Sequence, residues 1–447
     1  MQGKSVFLLS LGCSRNTVDS ETMIALLETA GHTVVQQPEG ADVLVVNTCS
    51  FIEDAKQEAI DTILELSKYK KSSTRLIVTG CFPQLYSQEI LKQMPEVDVV
   101  MGVGSLDLIL DAVEKDEVKD YPQSRATERR YKEYPGGRKL ITPPWHAYLK
   151  VSEGCSGSCS FCLIPLIKGP MRSRSIEAVV EEAKRLEEMG IKELILTSQD
   201  TLAYGRDLGV KNGIKTLVNS LLDRTGIELI RLLYLNPTEE LFGILDLFEN
   251  KRMLPYLDIP VQHVSAKILK SMHRYGSGDY FRGLLSRIRD RYPDAVFRTT
   301  VIVGYPGEKE ADFRELLDFT GDVKFNHLGV FVFSPQQETE ALRLGERVKK
   351  SVAEKRRGTI LELQRRVSKE KLKKEVGKVF PVLVEERTGE DGLYFGRSYH
   401  FAPEVDGVFV VQSKRKLDPG TIVRARVTWA DDYDLHGSVI EDGDLNR

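Results

Sequence analysis

Short apolar runs alternate with stretches of helical spacing along most of the chain. Val6-Phe7-Leu8-Leu9, Val43-Leu44-Val45-Val46 and Leu76-Ile77-Val78-Thr79 are continuous apolar runs that end at turn residues. That is the pattern of strands buried on both faces. Helical patterns over 18–30 and 53–66 separate them. Strands alternating with helices predict a parallel, doubly wound sheet, here assigned to residues 1–115. Residues 116–140 are polar, carry many charges and include Pro-Gly-Gly at 135–137; they read as a linker. From 141 to 375 the alternation resumes, with strands predicted at 147–151, 193–198, 229–235, 256–260, 297–303 and 327–333. Six such units suggest a full or partial (β/α) barrel, with its chemistry at the carboxyl ends of the strands. A long helix rich in Lys and Arg is predicted over 346–376. From 376 to 447 short β-type runs alternate with glycine turns, which predicts a small antiparallel β-barrel.

The composition, 41% hydrophobic and 29% charged over 447 residues, is that of a globular protein of two or three domains. A net charge of -3 gives no global case for nucleic-acid binding. The first residues lack the pattern of a secretory signal, and no segment approaches the roughly 20 apolar residues that span a bilayer. A cytoplasmic protein with no membrane contact is the expectation.

The six cysteines, Cys13, Cys49, Cys81, Cys155, Cys159 and Cys162, all fall in the first 162 residues. In a reducing compartment such crowding suggests metal or catalysis rather than disulfides. Cys155-x-x-x-Cys159-x-x-Cys162 places three thiolates in one tight loop. A structural zinc site wants four ligands, and no fourth Cys or His lies just downstream. Three thiolates suit a 4Fe-4S cluster with one iron open to a ligand; a zinc knuckle or chance clustering is the bland alternative. Cys13, Cys49 and Cys81 each follow a predicted strand end and could converge on one edge of the first sheet. Taken singly, each would be an ordinary core cysteine. Gln199 and Asp200 follow a predicted barrel strand, where they could bind a cosubstrate or, for Asp200, cap a helix. His263 alone reads as a core histidine.

The triad spacing after a first barrel strand resembles the radical S-adenosylmethionine superfamily. Leu11-Gly12-Cys13-Ser14-Arg15-Asn16-Thr17-Val18-Asp19-Ser20-Glu21, Asn47-Thr48-Cys49 and Gly80-Cys81-Phe82-Pro83-Gln84 are similar to the three cluster motifs of its methylthiotransferase family. Further likeness lies in Gln199-Asp200-Thr201, Arg231-Leu232-Leu233-Tyr234, the run from Tyr256 to His263, Arg298-Thr299-Thr300 and Val303-Gly304-Tyr305-Pro306-Gly307-Glu308. The resemblance implies two 4Fe-4S clusters, one on Cys155, Cys159 and Cys162 and an auxiliary one on Cys13, Cys49 and Cys81. It implies S-adenosylmethionine as cofactor, cleaved by the first cluster to a 5′-deoxyadenosyl radical, with Gln199 as a contact. It also implies a low-potential electron donor and a carboxyl-terminal TRAM barrel.

Two branches of that family differ in substrate. One methylthiolates a modified adenosine in transfer RNA, the other the β-carbon of an aspartate in ribosomal protein S-twelve, using two S-adenosylmethionine molecules. Residues 376–447 carry nine basic and thirteen acidic residues, a net charge of about -4. Phosphate binding wants the opposite sign, so an acidic barrel suits a basic protein such as S-twelve, free or on the small subunit. Truncation after Lys374 is then expected to weaken modification of S-twelve while sparing cleavage of S-adenosylmethionine. Arg397-Ser398-Tyr399-His400-Phe401-Ala402-Pro403-Glu404-Val405-Asp406-Gly407 and Asp432-Tyr433-Asp434-Leu435-His436-Gly437 also resemble the S-twelve branch, with His400-Phe401 as a departure from smaller or polar residues. The basic helix over 347–374 could contact ribosomal RNA, though a solvated charged face is the simpler reading. An iron–sulfur electron carrier or RNA-binding protein is the rival from another class, but such carriers normally hold each cluster with four cysteines.

Overall fold

A computed structural model describes residues 3–104, 106–115, 120–121, 131–134 and 136–440. The amino-terminal unit is an all-parallel sheet in the order β2-β1-β3-β4-β5-β6. Its strands are β1 (Ser5–Ser10), β2 (Thr33–Val35), β3 (Val43–Thr48), β4 (Arg75–Gly80), β5 (Val99–Met101) and β6 (Asp120–Tyr121). Its helices are α1 (Ser14–Thr29), α2 (Glu53–Ser67), α3 (Cys81–Gln93) and α4 (Leu108–Glu114). The apolar runs are continuous because both faces are covered. Val43 and Val45 pack with Met23, Leu27 and Ile109 of α1 and α4 on one side. Leu44 and Val46 pack with Ala59, Ile63 and Ile90 of α2 and α3 on the other.

The stretch read as a linker is docked rather than free where it is described. Asp120–Tyr121 pairs in parallel with β5. Tyr134 donates to Gly104 O at 3.0 Å and accepts from Leu106 N at 2.9 Å. Residues 116–119, 122–130 and 135 of that stretch lie outside the described residues.

The central unit holds the six expected strands, β7 (His146–Lys150), β10 (Glu193–Thr197), β11 (Leu229–Leu232), β12 (Tyr256–Asp258), β13 (Val296–Val303) and β14 (His327–Val332). A two-residue ribbon, β8 (Ser152–Glu153) with β9 (Arg172–Ser173), sits between the first two. The long strands form two parallel sheets, β7-β10-β11 and β12-β13-β14, linked by Leu235 N→Asp258 O at 2.8 Å. Among the described residues β14 has no ladder to β7, so the barrel is partial. Outside it run α5 (Ile164–Lys168), α6 (Ile176–Glu188), α7 (Gly213–Arg224), α8 (Ala266–Ser271), α9 (Gly278–Arg291), α10 (Glu310–Val323) and α11 (Lys350–Lys373). Ser175 and Ser277 accept from Ala178 N and Tyr280 N and so start α6 and α9.

The last unit is a closed barrel in the order β15-β16-β17-β19-β18, from β15 (Val379–Arg387), β16 (Leu393–Arg397), β17 (Phe409–Gln412), β18 (Ile422–Ala430) and β19 (Leu435–Val439). It departs from the antiparallel expectation at one seam, where β17 and β19 run parallel. A closed ring with an odd number of strands cannot alternate throughout, so one parallel pair is unavoidable. No helix among the described residues is long and apolar enough to cross a membrane.

The segment 397–406, read above as a substrate-branch motif, is a plug. It enters the amino-terminal mouth of the partial barrel, where Glu193, Tyr256 and His327 open their strands. Arg397 pairs with Glu193 at 2.7 Å and Glu385 at 2.9 Å, and Arg231 pairs with Glu193 at 2.7 Å and donates to Tyr399 O at 3.1 Å. Asp406, whose side chain is 2% exposed, faces Arg298 at 3.5 Å and His327 at 3.4 Å and accepts from Tyr256 OH at 2.5 Å. Ala402 packs in the lumen with Tyr148, Ile195, Leu233, Val296 and Val18. His400 and Phe401 are buried here against His327, Phe380 and Tyr399.

Part of the acidity of the last unit is engaged internally, while Glu386, Glu390, Asp391 and Glu404 are exposed. Glu385 and Asp406 are spent on the plug, and Asp432 holds Arg365 and Lys369 of α11 at 2.8 and 2.7 Å. Asp434 accepts from Val408 N, and Asp431 from Tyr433 N and Asp434 N. Glu441, Asp442 and Asp444 of that count lie outside the described residues.

Removing one partner of a buried ion pair strands the other, at a cost of roughly 3–5 kcal/mol. Asp406→Ala is expected to destabilise the protein by that amount in a denaturant titration. Truncation after Lys374, which would unplug the barrel, is expected to abolish cleavage of S-adenosylmethionine rather than spare it. Burial, aided by His327, Lys378 and Arg231, lowers the His400 pKa from 6.5 to about 3. A depressed folded pKa gives stability that is present above pH 6.5 and lost as pH falls toward 3, at about 1.4 kcal/mol per unit at most. Melting midpoints measured against pH should fall less steeply on the acid side for His400→Gln than for the natural chain.

Candidate functional site

Cys13, Cys49 and Cys81 lie just past the carboxyl ends of β1, β3 and β4, on one edge of the first sheet. Cys13 is the N-cap residue of α1, and Cys81 is the first residue of α3. Gly12 has φ +89, and a Cβ there would sit 2.6 Å from Cys49 Cβ, so only glycine lets the two cysteine loops touch. Asn16 fixes the edge from inside. Its Nδ2 donates to Leu11 O at 3.1 Å and Thr48 O at 2.9 Å, and its Oδ1 faces Cys81 Sγ at 3.9 Å.

Cys155, Cys159 and Cys162 lie on the loop pinched at its base by the β8–β9 ribbon. Gly154, at φ +80, passes so close that a Cβ would meet Pro170 O at 2.2 Å. The turn after α8 clamps the loop. Ser160 N donates to Met272 O at 3.2 Å, Ser160 Oγ to Ser271 O at 2.8 Å, and His273 Nδ1 faces Ser158 O at 2.9 Å. Tyr305 OH lies 2.7 Å from Ser160 Oγ. The Gly-Tyr-Pro-Gly-Glu segment is thus a buttress for the cysteine loop as well as a turn.

The two cysteine sites are joined through α5. α5 begins two residues after Cys162, and Leu163 and Ile167 pack directly with Cys81. Behind this contact lies a buried tetrad. Lys150 bonds Asp19 and lies 3.7 Å from Glu153, while Lys168 reaches Asp19 at 3.3 Å and Glu153 at 2.7 Å. Arg15 crosses the same boundary, donating to Ser198 O at 2.8 Å with its guanidinium 4.7 Å from the Tyr234 ring center. Glu21 pairs with Arg138 at 2.7 Å, both buried.

Gln199 and Asp200 follow β10 at the same end of the barrel. Gln199 Oε1 and Nε2 are shielded from solvent without a hydrogen-bond partner, as is Asp200 Oδ1. Asp200 Oδ2 accepts from Asn236 Nδ2 at 2.6 Å, and its side chain makes no capping bond. Orphaned buried polar atoms beside a cysteine loop are what a polar ligand would satisfy. His263 is fully buried, its Nδ1 accepts from Ser265 N at 3.0 Å while its Nε2 has no partner, and burial lowers its pKa to about 4. It sits in the core, as read from the sequence.

The donor set fits an iron–sulfur cluster better than a single ion. All six thiols are free, and the chain has no seventh cysteine. Among the described residues no three His, Cys, Asp or Glu converge tightly enough to hold one ion. Thiolates sharing one tetrahedral zinc must sit about 3.8 Å apart at a bond length near 2.3 Å, whereas a cubane gives each its own iron. Burial pushes the Cys81 and Cys162 thiols up to about 12. Cys13 is lowered, since burial is outweighed by Arg15, the Asn16 amide and Lys168. Metal ligation needs the thiolate, so a bound cluster would be what holds such buried thiols deprotonated.

Residues 149–320 match the radical SAM superfamily, residues 376–440 the TRAM domain, and residues 5–102 the uncharacterized protein family UPF0004. The solved radical S-adenosylmethionine methyltransferase TsrM from Kitasatospora setae shares the fold, with a TM-score of 0.56 at 15% identity, over 76% of this chain and 77% of that one. Fold and site together define a radical S-adenosylmethionine enzyme. The ribosomal protein uS12 methylthiotransferase RimO of Syntrophomonas wolfei is 42% identical over 439 residues, 97% of this chain and 99% of that protein. Its namesake from Aquifex aeolicus is 43% identical over 443 residues, 98% of each. The chain belongs to the uS12 methylthiotransferase family.

Lys150, Lys168, Arg274, Asn236 and Ser160 escaped the sequence reading. A lone lysine in a strand or short helix reads as surface; only Asp19 and Glu153, close to cysteines, hinted at buried partners. Asp19→Ala and Lys150→Ala are each expected to cost roughly 3–5 kcal/mol. The double variant should cost less than their sum by roughly 0.5–3 kcal/mol, as read from denaturation midpoints of the full chain. Additive losses would show that the pair is uncoupled.

Proposed function

We propose that this chain methylthiolates the β-carbon of an aspartate in ribosomal protein S-twelve (uS12). It uses two S-adenosylmethionine molecules, one as methyl donor and one as radical source, and a sulfur held at the amino-terminal cysteine site. The observation that carries this reading is the packing of α5, which follows the second cysteine triad, on Cys81 of the first, in a chain 42% identical to a uS12 methylthiotransferase. In this reading Cys155, Cys159 and Cys162 hold one 4Fe-4S cluster, and Cys13, Cys49 and Cys81 hold a second. The first supplies the electron that cleaves S-adenosylmethionine, drawn from a low-potential donor. Gln199 offers its unpaired amide to S-adenosylmethionine, and Asp200, tied to Asn236, sits next to it.

The same reading divides the chain at 115, 140 and 375 into an amino-terminal cluster domain, a connecting segment, the radical barrel with its basic helix, and the TRAM barrel. uS12 is met in the cytoplasm, free or on the small subunit. Arg365 and Lys369 of α11 are engaged by Asp432, which leaves exposed cations such as Lys349, Lys350 and Lys373 for any contact with ribosomal RNA.

Two clusters predict roughly eight irons per chain after anaerobic reconstitution, four per cubane. Replacing Cys155, Cys159 and Cys162 by Ala should leave about four and abolish cleavage of S-adenosylmethionine. Cys49→Ala should still cleave it but transfer no methylthio group. A competition assay offering uS12 and transfer RNA should yield modified uS12. Methylthiolated adenosine as the main product would assign the chain to transfer RNA instead.

A further inference from the structure

Arg274 stands at the center of a short polar chain at the carboxyl end of the barrel. Its Nη2 donates to Pro260 O at 2.9 Å and to Asn236 Oδ1 at 3.2 Å. Its Nη1 points to Cys159 Sγ at 3.8 Å. Asn236 in turn donates to Asp200 at 2.6 Å. Pro260 follows β12 and Asn236 follows β11, so both acceptors belong to the rigid frame of the barrel. A guanidinium is a planar fork; with one arm fixed by two acceptors, the other has a single direction left, and that direction is the cysteine.

The residues before Arg274 hold the backbone on both sides of the same cysteine. His273 faces Ser158 O, and Met272 O and Ser271 O take Ser160 N and Oγ. Cys159 is thus gripped at both neighbors by the turn 271–273 and at its sulfur by Arg274. The guanidinium also favors the charged forms of Cys155 and Cys162, though burial dominates both. A strut needed only to join β11 to β12 would have no reason to extend its free arm to a thiol.

We infer that Arg274 is a positioning residue for the barrel triad, and that its hydrogen bond to the Cys159 sulfur raises the reduction potential of the cluster held there. The inference rests on the reading that Cys155, Cys159 and Cys162 hold a 4Fe-4S cluster. Its physical basis is that reduction adds negative charge to the sulfurs, so a cationic donor stabilises the reduced form more than the oxidised one. Hydrogen bonds to cluster sulfurs are a recognised lever on potential. Lysine, a point charge without a fork, cannot serve Cys159, Asn236 and Pro260 together.

The test uses the full chain, anaerobically reconstituted, with iron quantitation and a redox titration followed by electron paramagnetic resonance. The barrel cluster is identified by its spectral change on adding S-adenosylmethionine. Arg274→Gln should keep the natural iron content but shift the reduction equilibrium of that cluster about tenfold toward the oxidised form, about 59 mV for one electron. Arg274→Lys should give a smaller shift in the same direction. A loaded Arg274→Gln protein with the natural potential overturns the inference. If only Arg274→Lys loads, a lowered potential supports it and an unchanged one overturns it. Failure of both folded variants to load overturns it in favor of a role in cluster assembly. If the natural chain itself loads no cluster that responds to S-adenosylmethionine, the parent reading fails; if it loads and Arg274→Gln is unshifted, only this inference fails.

Discussion

The structure depends on four charges held almost wholly out of solvent. Asp19, Lys150, Glu153 and Lys168 are each at most 7% exposed at the side chain. Each carboxylate meets both ammoniums, with the buried Arg172 near Glu153, so the loss of any member leaves a buried charge unmatched. Desolvating four charges is costly, and only close mutual pairing offsets it. The consequence is geometric. Asp19 lies six residues after Cys13, and Glu153 two before Cys155. A group that cannot tolerate separation therefore fixes one cysteine loop against the other. Neither unit could expose its share of the tetrad without a large penalty, so the two behave as one body around the site.

That coupling suits the chemistry the two sites have to share. In the proposed function a radical made at one triad and a sulfur held at the other would meet a substrate carbon at short range, and positioning of this kind accounts for much of an enzyme's work. α5 gives the shortest link, running from Cys162 to the packing partners of Cys81. Arg15, Ser14 and Asn16, all next to Cys13, tie the same loop to the end of β10 and to the neighboring strands. The charged letters of the first cysteine motif are thus largely docking residues.

Much of the fold was legible because its signals were local. Runs such as Val43-Leu44-Val45-Val46 have one explanation, burial on two faces, and the six barrel strands fell within a few residues of where the pattern placed them. The cysteines could be grouped because three follow strand ends and three share a loop. What was not legible depended on distant partners. Asp406 and Arg397 look like surface charges in a turn-rich segment; nothing local says that Arg298, His327 and Glu193 await them. Counting charge over 376–447 gives a sum but not a position, and the sum does not tell that Glu385, Asp406 and Asp432 are held by internal partners. The parallel seam between β17 and β19 follows from ring closure, which no single strand reveals.

The plug also sets a timetable. Arg231 waits for Tyr399, which follows it by 168 residues, and Tyr256 waits for Asp406, which follows by 150. During synthesis the barrel strands emerge long before the segment that seals their lower mouth. The lumen therefore stays open until the 397–406 segment has been made. The nascent chain must shelter Tyr148, Ile195 and Leu233 from aggregation for the whole interval, a burden typical of proteins whose contacts are distant in sequence.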